Sequence, residues 1–273
     1  SCSMEINPEG KIVSAEVYKA VINVKERMNY HDVQAILDKS DKEVLQKYEK
    51  YIPDFELMAE LAKILKNRRL NQGYLNLDIP ESKIDLDKQG RAINVGKYET
   101  SFSNEIIEHF MLSANEAIAE KFYWLDAPFI YRVHEDPDLD KVKDLNKFLY
   151  NFGLRIKITN GKVYPTEVSK ILEQIKGTEA EKVISTLILR TLKVARYEAE
   201  NKGHFGIASK YYCHFTSPIR RYPDLFIHRV ISKYLEENYD VEETFIEEYK
   251  KQAEERAKQS SERENIATKV ERE

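Results

Sequence analysis

The sequence predicts a single mixed α+β domain in which short β-strands pack with many helices. Apolar residues recur at helical spacing over several long stretches, whereas β-forming residues are confined to short segments separated by turns. No repeat period emerges, and no linker rich in Gly, Ser or Pro divides the chain. With 273 residues and 42% hydrophobic content, the chain can bury one large core or two modest ones.

The chain opens with β-forming residues over 3–6 and 11–24, on either side of the turn-forming cluster Asn7-Pro8-Glu9-Gly10. This arrangement predicts a β-hairpin. Asp32 is a candidate N-cap for a helix over 33–39, because its carboxylate can accept a hydrogen bond from a free amide of the first turn.

A second helical stretch over 41–51 precedes a longer helix that ends in the basic run KNRR at 66–69. We expect the longer helix to pack under a sheet, because its apolar residues form one stripe: Phe55, Met58, Leu61, Ala62 and Leu65. The segment 74–99 alternates like β-structure and predicts two or three short strands, separated by turns at Pro80 and Gly90.

Ser101 or Ser103 can begin the next helix, whose apolar stripe runs to Phe122, and a compact apolar strand is predicted over 129–133. Further helices are predicted over 138–152, 166–175, 179–199, 223–237 and 242–273. We expect the chain to be part of a longer protein, truncated at both ends, because it opens as if inside a strand and stops with helical periodicity unbroken.

Composition restricts the class of protein. Apolar runs are only a few residues long, and the first residues lack the basic and apolar regions of a secretory signal, so no membrane association is expected. Cys2 and Cys213 lie far apart without a CxxC pair, which predicts neither a disulfide partner nor a cysteine zinc site. A reducing cytoplasm fits this cysteine usage.

The segment HFGIASKYYCHFTSPIRRYPDLFIH at 204–228 carries the strongest functional signal. Residues 201–233 contain six Lys or Arg against one acid, Asp224, a local charge of +5 that leaves −9 for the rest of a chain with net charge −4. Six aromatic residues interleave with these cations: Phe205, Tyr211, Tyr212, Phe215, Tyr222 and Phe226. Clustered cations and stacking faces are typical of a groove that binds single-stranded nucleic acid.

Within this segment, Thr216 or Ser217 followed by Pro218 predicts a helix start, since a hydroxyl can cap free amides and proline fits the first helical turn. Arg220 and Arg221 would then lie beside free backbone N–H groups, an arrangement suited to an anion. Proline at 223 leaves two alternatives open: a kink in that helix, or a helix that begins anew there.

At these residues the sequence resembles the catalytic domain of the ribonuclease II/ribonuclease R family, and its style is closer to ribonuclease R. The family pattern is similar to H-F-G, a spacer, Y, then H-F-T-S-P-I-R-R-Y, D and H. It is matched by His204-Phe205-Gly206, Tyr211, His214 to Tyr222, Asp224 and His228. Further resemblances cover most of the chain: ERMNYHDV at 26–33, FMLSANEAIAE at 110–120 and PFIYRVHEDPD at 128–138.

The resemblance implies an exoribonuclease that hydrolyses single-stranded RNA processively from its 3′ end to nucleoside 5′-monophosphates, with Mg²⁺ held by an aspartate cluster. The family cluster is a D-x5-D-x-D-D type run upstream of the opening hairpin, and no such run occurs here. The nearest imitation is Asp85 and Asp87 in IDLDK, in a different context. Residues 1–273 are therefore expected to form part of an RNB-type catalytic domain, without its Mg²⁺ ligands and without the cold-shock and S1 domains of ribonuclease R. We expect this piece alone to be inactive.

Three residues of the segment 204–228 are candidates for RNA binding or catalysis. Arg220 matches the family arginine that contacts the scissile phosphate, where a planar fork of donors can hold developing charge. A structural arginine paired with an acid such as Asp224 is the competing interpretation. Arg221 and Ser217 are candidate RNA contacts, and for Arg221 a salt bridge is the alternative.

Three candidates lie outside that segment. Tyr30 fits the family tyrosine whose ring stacks on a base near the 3′ end, although a packing role is the alternative. Glu262 resembles a family glutamate near the bound 3′ nucleotide, yet it lies on a charged helix where most carboxylates face water. His134, at the end of an apolar strand, could reach the RNA, or could instead be a buried histidine.

Other polar clusters are interpreted as structural. No compact zinc ligand set is matched by the spacings of His204, His214, His228 and Cys213. These histidines are therefore expected to brace the loop that carries Arg220 and Arg221. Buried hydrogen bonds that support the site are expected from Asn115 and Glu116. A calcium loop is not indicated by the alternating acids Asp136, Asp138 and Asp140, because the glycine and terminal glutamate of such a loop are missing.

Two other functions compete with the exoribonuclease. One is a non-catalytic RNA-binding module or scaffold that retains the groove without the metal site. The other is a helical interaction domain in which the charged helix over 242–273 recruits protein partners.

Overall fold

The computed structural model describes residues 1–75, 82–97 and 100–272. Its strands form three separate two-stranded antiparallel sheets, and helices make up the rest of the core. The predicted α+β class is confirmed. No helix within the described ranges is long and apolar enough to cross a membrane.

The opening hairpin pairs β1 (Cys2–Ile6) with β2 (Ile12–Val17), with a bulge between Glu5 and Ile6. The prediction of this hairpin is confirmed, but its second strand ends at Val17 and not at Val24. Residues 18–29 are irregular, and Val21 and Ile22 are exposed, so they have no packing surface that would hold them in a strand.

Three helices follow: α1 (Tyr30–Asp38), α2 (Lys42–Lys47) and α3 (Ile52–Gln72), with a 3₁₀ turn before α3. The N-cap of α1 is Asn29, whose Oδ1 accepts from Asp32 N at 2.8 Å, so the prediction that Asp32 caps this helix was wrong.

The surroundings of α3 also differ from the prediction. Among the described residues, the extensive contacts of this helix are with α1 and two later helices, α4 (Phe102–Trp124) and α6 (Pro165–Ile175), and not with a sheet. Local periodicity shows that a helix has an apolar stripe, but it does not show what covers that stripe.

A second hairpin pairs β3 (Ser82–Leu86) with β4 (Ala92–Lys97). The prediction of strands after Tyr74 is confirmed for these two, and the earlier predicted strand falls mainly on residues outside the described ranges. In α4, Ser101 is the N-cap, and a capping box with Asn104 satisfies free amides at the helix start.

The main hydrophobic core surrounds the C-terminal half of α4. Phe122 is fully buried and stacks on Phe129 at a ring-centroid distance of 5.2 Å. The core is completed by β5 (Tyr131–Val133), α8 (Tyr222–Glu236) and α9 (Glu243–Arg272).

A second core lies among α5 (Leu139–Leu149), α6 and α7 (Glu181–Thr191). The helix predicted over 179–199 ends at Thr191. The chain then forms β6 (Arg196–Glu198), which pairs with β5 so that Tyr197 lies opposite Arg132. Sequence analysis missed β6 because a three-residue strand has too few positions to display alternation.

Candidate nucleic-acid interface

A loop between Phe215 and α8 carries the two adjacent arginines, and Asp224 anchors this loop from inside. The Asp224 carboxylate has no solvent exposure. Its Oδ1 accepts from Ser217 N and from Arg221 Nη2, both at 2.8 Å, and its Oδ2 accepts from Arg221 Nε at 2.9 Å. We call residues 216–221 the arginine loop.

The backbone of the arginine loop forms a turn. The carbonyl of Ser217 accepts from Arg220 N at 3.3 Å and from Arg221 N at 3.1 Å. The amides of Arg220 and Arg221 themselves are therefore used in the turn and are not free for an anion, while Arg221 is the N-cap residue of the helix that follows. Helix α8 begins at Tyr222 with Pro223 in its first turn, which confirms the alternative of a helix that begins anew.

The two arginines of the loop have different environments. The guanidinium of Arg221 is only 20% exposed and is held by Asp224. Arg220 is exposed and has no ion pair with any residue in the described ranges, and its neighbour Ile219 is fully exposed. The loop thus directs one cation inward as an anchor and presents the other to solvent.

The irregular segment that leads into the loop is held on both sides at Phe215. Asn115 Oδ1 on α4 accepts from Phe215 N at 2.9 Å. His228 Nε2 lies 2.8 Å from Phe215 O, and the two rings stack with centroids 4.4 Å apart. The expected supporting role of Asn115 and the bracing role of His228 are confirmed.

A cluster of histidine and tyrosine rings lies behind the loop. Tyr197 Oη lies 2.9 Å from His214 Nδ1, and Asn115 Nδ2 donates to Tyr212 Oη at 3.1 Å. Burial, reinforced by the positive charges of nearby arginines, lowers the pKa of His214 to about 2. Burial beside other cationic groups lowers the pKa of His204 to about 3. Both rings are therefore neutral at physiological pH. His214 contacts the Tyr197 hydroxyl, and His204 packs edge-on against the Tyr212 ring with centroids 5.3 Å apart.

His134 is 9% exposed and belongs to the same interior. Its Nδ1 accepts from Gly206 N at 3.1 Å, and a Cβ at Gly206 would lie 2.9 Å from that nitrogen, which explains why glycine occupies this position. Burial lowers the pKa of His134. His134 is thus positioned as a structural histidine. Its assignment as an RNA contact stays a prediction, because the side chain presents almost no exposed surface to a ligand.

Arg132 is a cation near the site that sequence analysis did not single out. Its guanidinium lies 4.6 Å from the centre of the Tyr197 ring, and Nη1 donates to Glu264 Oε2 at 2.6 Å. The available signal was its position in the strand that ends at His134. Arg132 links β5 to α9 and adds positive potential close to His214.

Glu262 lies on α9 one residue after Ser261, whose Oγ accepts from Tyr197 N at 2.9 Å. The Glu262 side chain is exposed and lines a groove of about 440 Å³ between α9 and β6. Because Tyr197 also contacts His214, the hydrogen bonds Ser261–Tyr197–His214 connect α9 with the segment that precedes the arginine loop.

Tyr30 is 45% exposed at the start of α1, and its carbonyl accepts from Ser103 Oγ at 2.9 Å. Ser103 and Asn115 are both on α4, about 18 Å apart along the axis at 1.5 Å per residue. The structure therefore places Tyr30 and the arginine loop at different levels of one helix and not in contact.

Within the described ranges, no group of three or more His, Cys, Asp or Glu side chains is arranged to hold a metal ion. Asp87 Oδ1 is used in a turn, where it accepts from Gln89 N and Arg91 N at 2.8 Å. Asp138 caps α5, and Asp140 pairs with Lys143. The described carboxylates of this chain do not fit the Mg²⁺ site that the family resemblance implies.

Known proteins resemble this chain over its whole length. Ribonuclease R 1 of Lactococcus lactis is 37% identical over 100% of this chain, which covers 33% of that relative. Ribonuclease R of Thermotoga maritima is 38% identical over 99% of this chain and 38% of the relative. The chain thus spans about a third of the length of these curated relatives.

Solved structures show the same fold. Mycoplasma genitalium RNase R in complex with ribose-methylated single-stranded RNA matches with a TM-score of 0.89 and 26% identity, over 99% of this chain and 42% of that one. Yeast Ssd1, a pseudonuclease, shares the fold with a TM-score of 0.62 and 22% identity, over 93% of this chain and 31% of its own. The profile of the RNB domain matches residues 1–237. The resemblance stated from the sequence is therefore confirmed, and this chain belongs to the RNB domain family.

Proposed function

We propose that this chain is part of a 3′→5′ exoribonuclease that processively hydrolyses single-stranded RNA to nucleoside 5′-monophosphates with Mg²⁺. Its membership of the RNB family and the name of its relatives, Ribonuclease R, support this proposal. So do the matching structures of Mycoplasma genitalium RNase R in complex with single-stranded and with double-stranded RNA. We also propose that the protein acts in the cytoplasm and that its substrate is RNA.

The observation that carries the proposal is the contrast within the arginine loop. Asp224 and Arg221 hold the loop rigidly, while Arg220 offers an exposed guanidinium that no described acid neutralises. A preorganised guanidinium can donate two parallel hydrogen bonds to a phosphate and stabilise charge that develops there. In this proposal Arg220 contacts the scissile phosphate, Glu262 lies near the 3′ nucleotide and Tyr30 stacks on a base.

The described residues do not hold Mg²⁺, and we propose that its ligands lie outside residues 1–273. Carboxylates bring such cations to the attacking and leaving oxygens in phosphodiester hydrolysis. We therefore expect the 273-residue protein to bind RNA and to be nearly inactive.

The first test is binding of a short single-stranded RNA to the 273-residue protein over a salt series, for wild type, Arg220→Ala and Tyr30→Ala. Salt-dependent binding that weakens in both variants supports the proposed interface, because phosphate contacts release counterions. Equal binding by all three folded proteins would overturn the assignment of the site. Mg²⁺-dependent release of nucleoside monophosphates by this protein, abolished by Arg220→Ala, would overturn the proposed inactivity.

A non-catalytic RNA-binding module is the second candidate, favoured by one observation, namely the missing carboxylate cluster among the described residues. The two functions differ in the full-length protein. Degradation of RNA by the full-length protein supports the enzyme, whereas RNA binding without degradation at any Mg²⁺ concentration supports the binding module.

A further inference from the structure

A second groove, of about 420 Å³, runs between α8 and α9 on residues that the proposed function does not use. Its α8 wall consists of side chains at positions i, i+3, i+4, i+7, i+8 and i+11, which share one helix face. Its α9 wall consists of two aromatic rings. The lining residues are Leu225, His228, Arg229, Ser232, Lys233, Glu236, Phe245 and Tyr249.

The charges in this groove leave one cation unpaired. Arg229 is exposed and forms no ion pair with a residue in the described ranges. Lys233 pairs with Glu237 on its own helix, and Glu236 pairs with Lys19. Because Lys19 already pairs with the acid Glu236, the unpaired positive charge of Arg229 favours an anion in the groove.

The aromatic wall is fixed in position. Phe245 and Tyr249 stack with centroids 4.1 Å apart and an interplanar angle of 27°, and both pack against the main core. Lys233 Nζ lies 5.6 Å from the centre of the Phe245 ring. A cation beside a preformed aromatic surface can hold a phosphate and a stacked base at the same time.

The groove also contacts the support of the arginine loop. His228 lines the groove, and the same imidazole lies 2.8 Å from Phe215 O and stacks on the Phe215 ring. Phe215 directly precedes the arginine loop. A ligand that shifts His228 therefore acts on the segment that positions Arg220.

We propose that the groove between α8 and α9 binds a nucleoside 5′-monophosphate at a site separate from the arginine loop. Its phosphate is held by Arg229 with Lys233 and Ser232, and its base lies against Phe245 and Tyr249. The nucleotide class rests on the proposed function, since it is the product of that reaction. Occupancy of the groove is coupled to the arginine loop through His228, so that accumulated product acts on the residue that binds substrate.

The test is isothermal titration calorimetry of the 273-residue protein with AMP, adenosine and inorganic phosphate. AMP is expected to bind at least about tenfold more tightly than either part, because each part makes only some of the contacts. Arg229→Gln is expected to weaken AMP binding about tenfold or more, as loss of a charge-assisted hydrogen bond does. Phe245→Leu, which keeps the apolar contact to the core, should weaken it severalfold.

Two control variants locate the site. Arg190→Gln removes an exposed arginine on α7 that is in no described ion pair, and it should leave AMP binding unchanged. Arg220→Gln removes the proposed phosphate contact of the arginine loop, so the AMP binding that persists in this variant is the binding in the groove. Circular dichroism melting of each variant confirms that it is folded.

The inference is overturned if AMP does not bind, if Arg229→Gln and Phe245→Leu bind AMP like wild type, or if only Arg220→Gln abolishes binding. It is also overturned if Arg229→Gln weakens RNA binding and leaves AMP binding unchanged, since the groove would then be an RNA path. None of these results depends on catalysis. Failure of the proposed exoribonuclease would instead appear as intact RNA with the full-length protein, whatever the result with AMP.

Discussion

Asp224 and Arg221 form a bidentate ion pair inside the turn that presents Arg220 to solvent. The carboxylate is fully buried, both of its oxygens accept from the guanidinium, and one also accepts from the amide of Ser217. Two arginines adjacent in sequence therefore have opposite roles: Arg221 stabilises the loop, and Arg220 faces solvent.

Asp224→Asn is expected to lower the free energy of unfolding by about 3 kcal/mol, because it leaves the guanidinium of Arg221 without its buried counter-charge. Urea unfolding followed by circular dichroism measures the change. Asp240→Asn, on an exposed aspartate, is the matched control and should stay within about 0.5 kcal/mol of wild type. A loss below 1 kcal/mol for Asp224→Asn would contradict the anchoring role.

Arg220→Gln and Arg221→Gln are expected to separate binding from stability. Arg220→Gln should leave unfolding unchanged within about 0.5 kcal/mol, because the side chain is exposed and has no described ion pair. It should reduce the slope of log K against log salt for single-stranded RNA by about 1, the effect of one phosphate contact. Arg221→Gln should instead destabilise the fold. The opposite pattern in the two variants would reverse the assigned roles.

Tyr30→Ala is expected to weaken binding of single-stranded RNA by about 1–3 kcal/mol, the contribution of one stacked base. Tyr30→Phe should bind nearly as well as wild type, because the ring is retained. Tyr150→Ala, at an exposed tyrosine on another part of the surface, controls for nonspecific loss of an aromatic ring. Fluorescence anisotropy with a labelled oligonucleotide provides the affinities, and equal weakening by Tyr30→Ala and Tyr150→Ala would refute a specific stack.

Stability is expected to fall in mild acid because His214 and His204 stay neutral in the folded state. Their folded pKa values, about 2 and about 3, lie below the ordinary histidine pKa of 6.5, so the unfolded chain binds more protons as pH falls below 6.5. Each histidine thus contributes to the free energy of unfolding, and this contribution is fully present above pH 6.5. That stability is lost at up to about 1.4 kcal/mol per pH unit as pH falls towards the folded pKa.

Urea unfolding between pH 7.5 and pH 5 measures this dependence. His214→Gln removes one titrating group and should reduce the slope below pH 6 by close to one proton. Tyr197→Phe deletes the hydroxyl that contacts His214 but keeps the histidine, so it should retain the slope. An unchanged slope in His214→Gln would show that this histidine is already accessible to protons in the folded protein.

Much of the molecule was predictable from local sequence. The apolar stripes of α3 and α4 and the existence of the first hairpin were predicted correctly, because helix and strand periodicities are properties of neighbouring residues. The helix start predicted at Pro218 was wrong, since the chain forms a turn there and α8 begins at Tyr222. Boundaries were less predictable. The helix ending at Thr191 and the short strand β6 depend on pairing with β5, which comes from more than 60 positions earlier in the chain.

Some features of the candidate site were likewise predictable from local sequence, and others depend on tertiary contacts. By itself, the sequence determined the family, the α+β class and the cluster of cations and aromatic rings around residues 204–228, because motif, spacing and composition are all local. Only the tertiary structure decided that Arg221 and not Arg220 pairs with Asp224, that His134 is buried, and that Arg132 joins the site. Burial and ion pairing depend on which distant surfaces meet, since the cost of an unpaired charge or polar group arises only where packing excludes water.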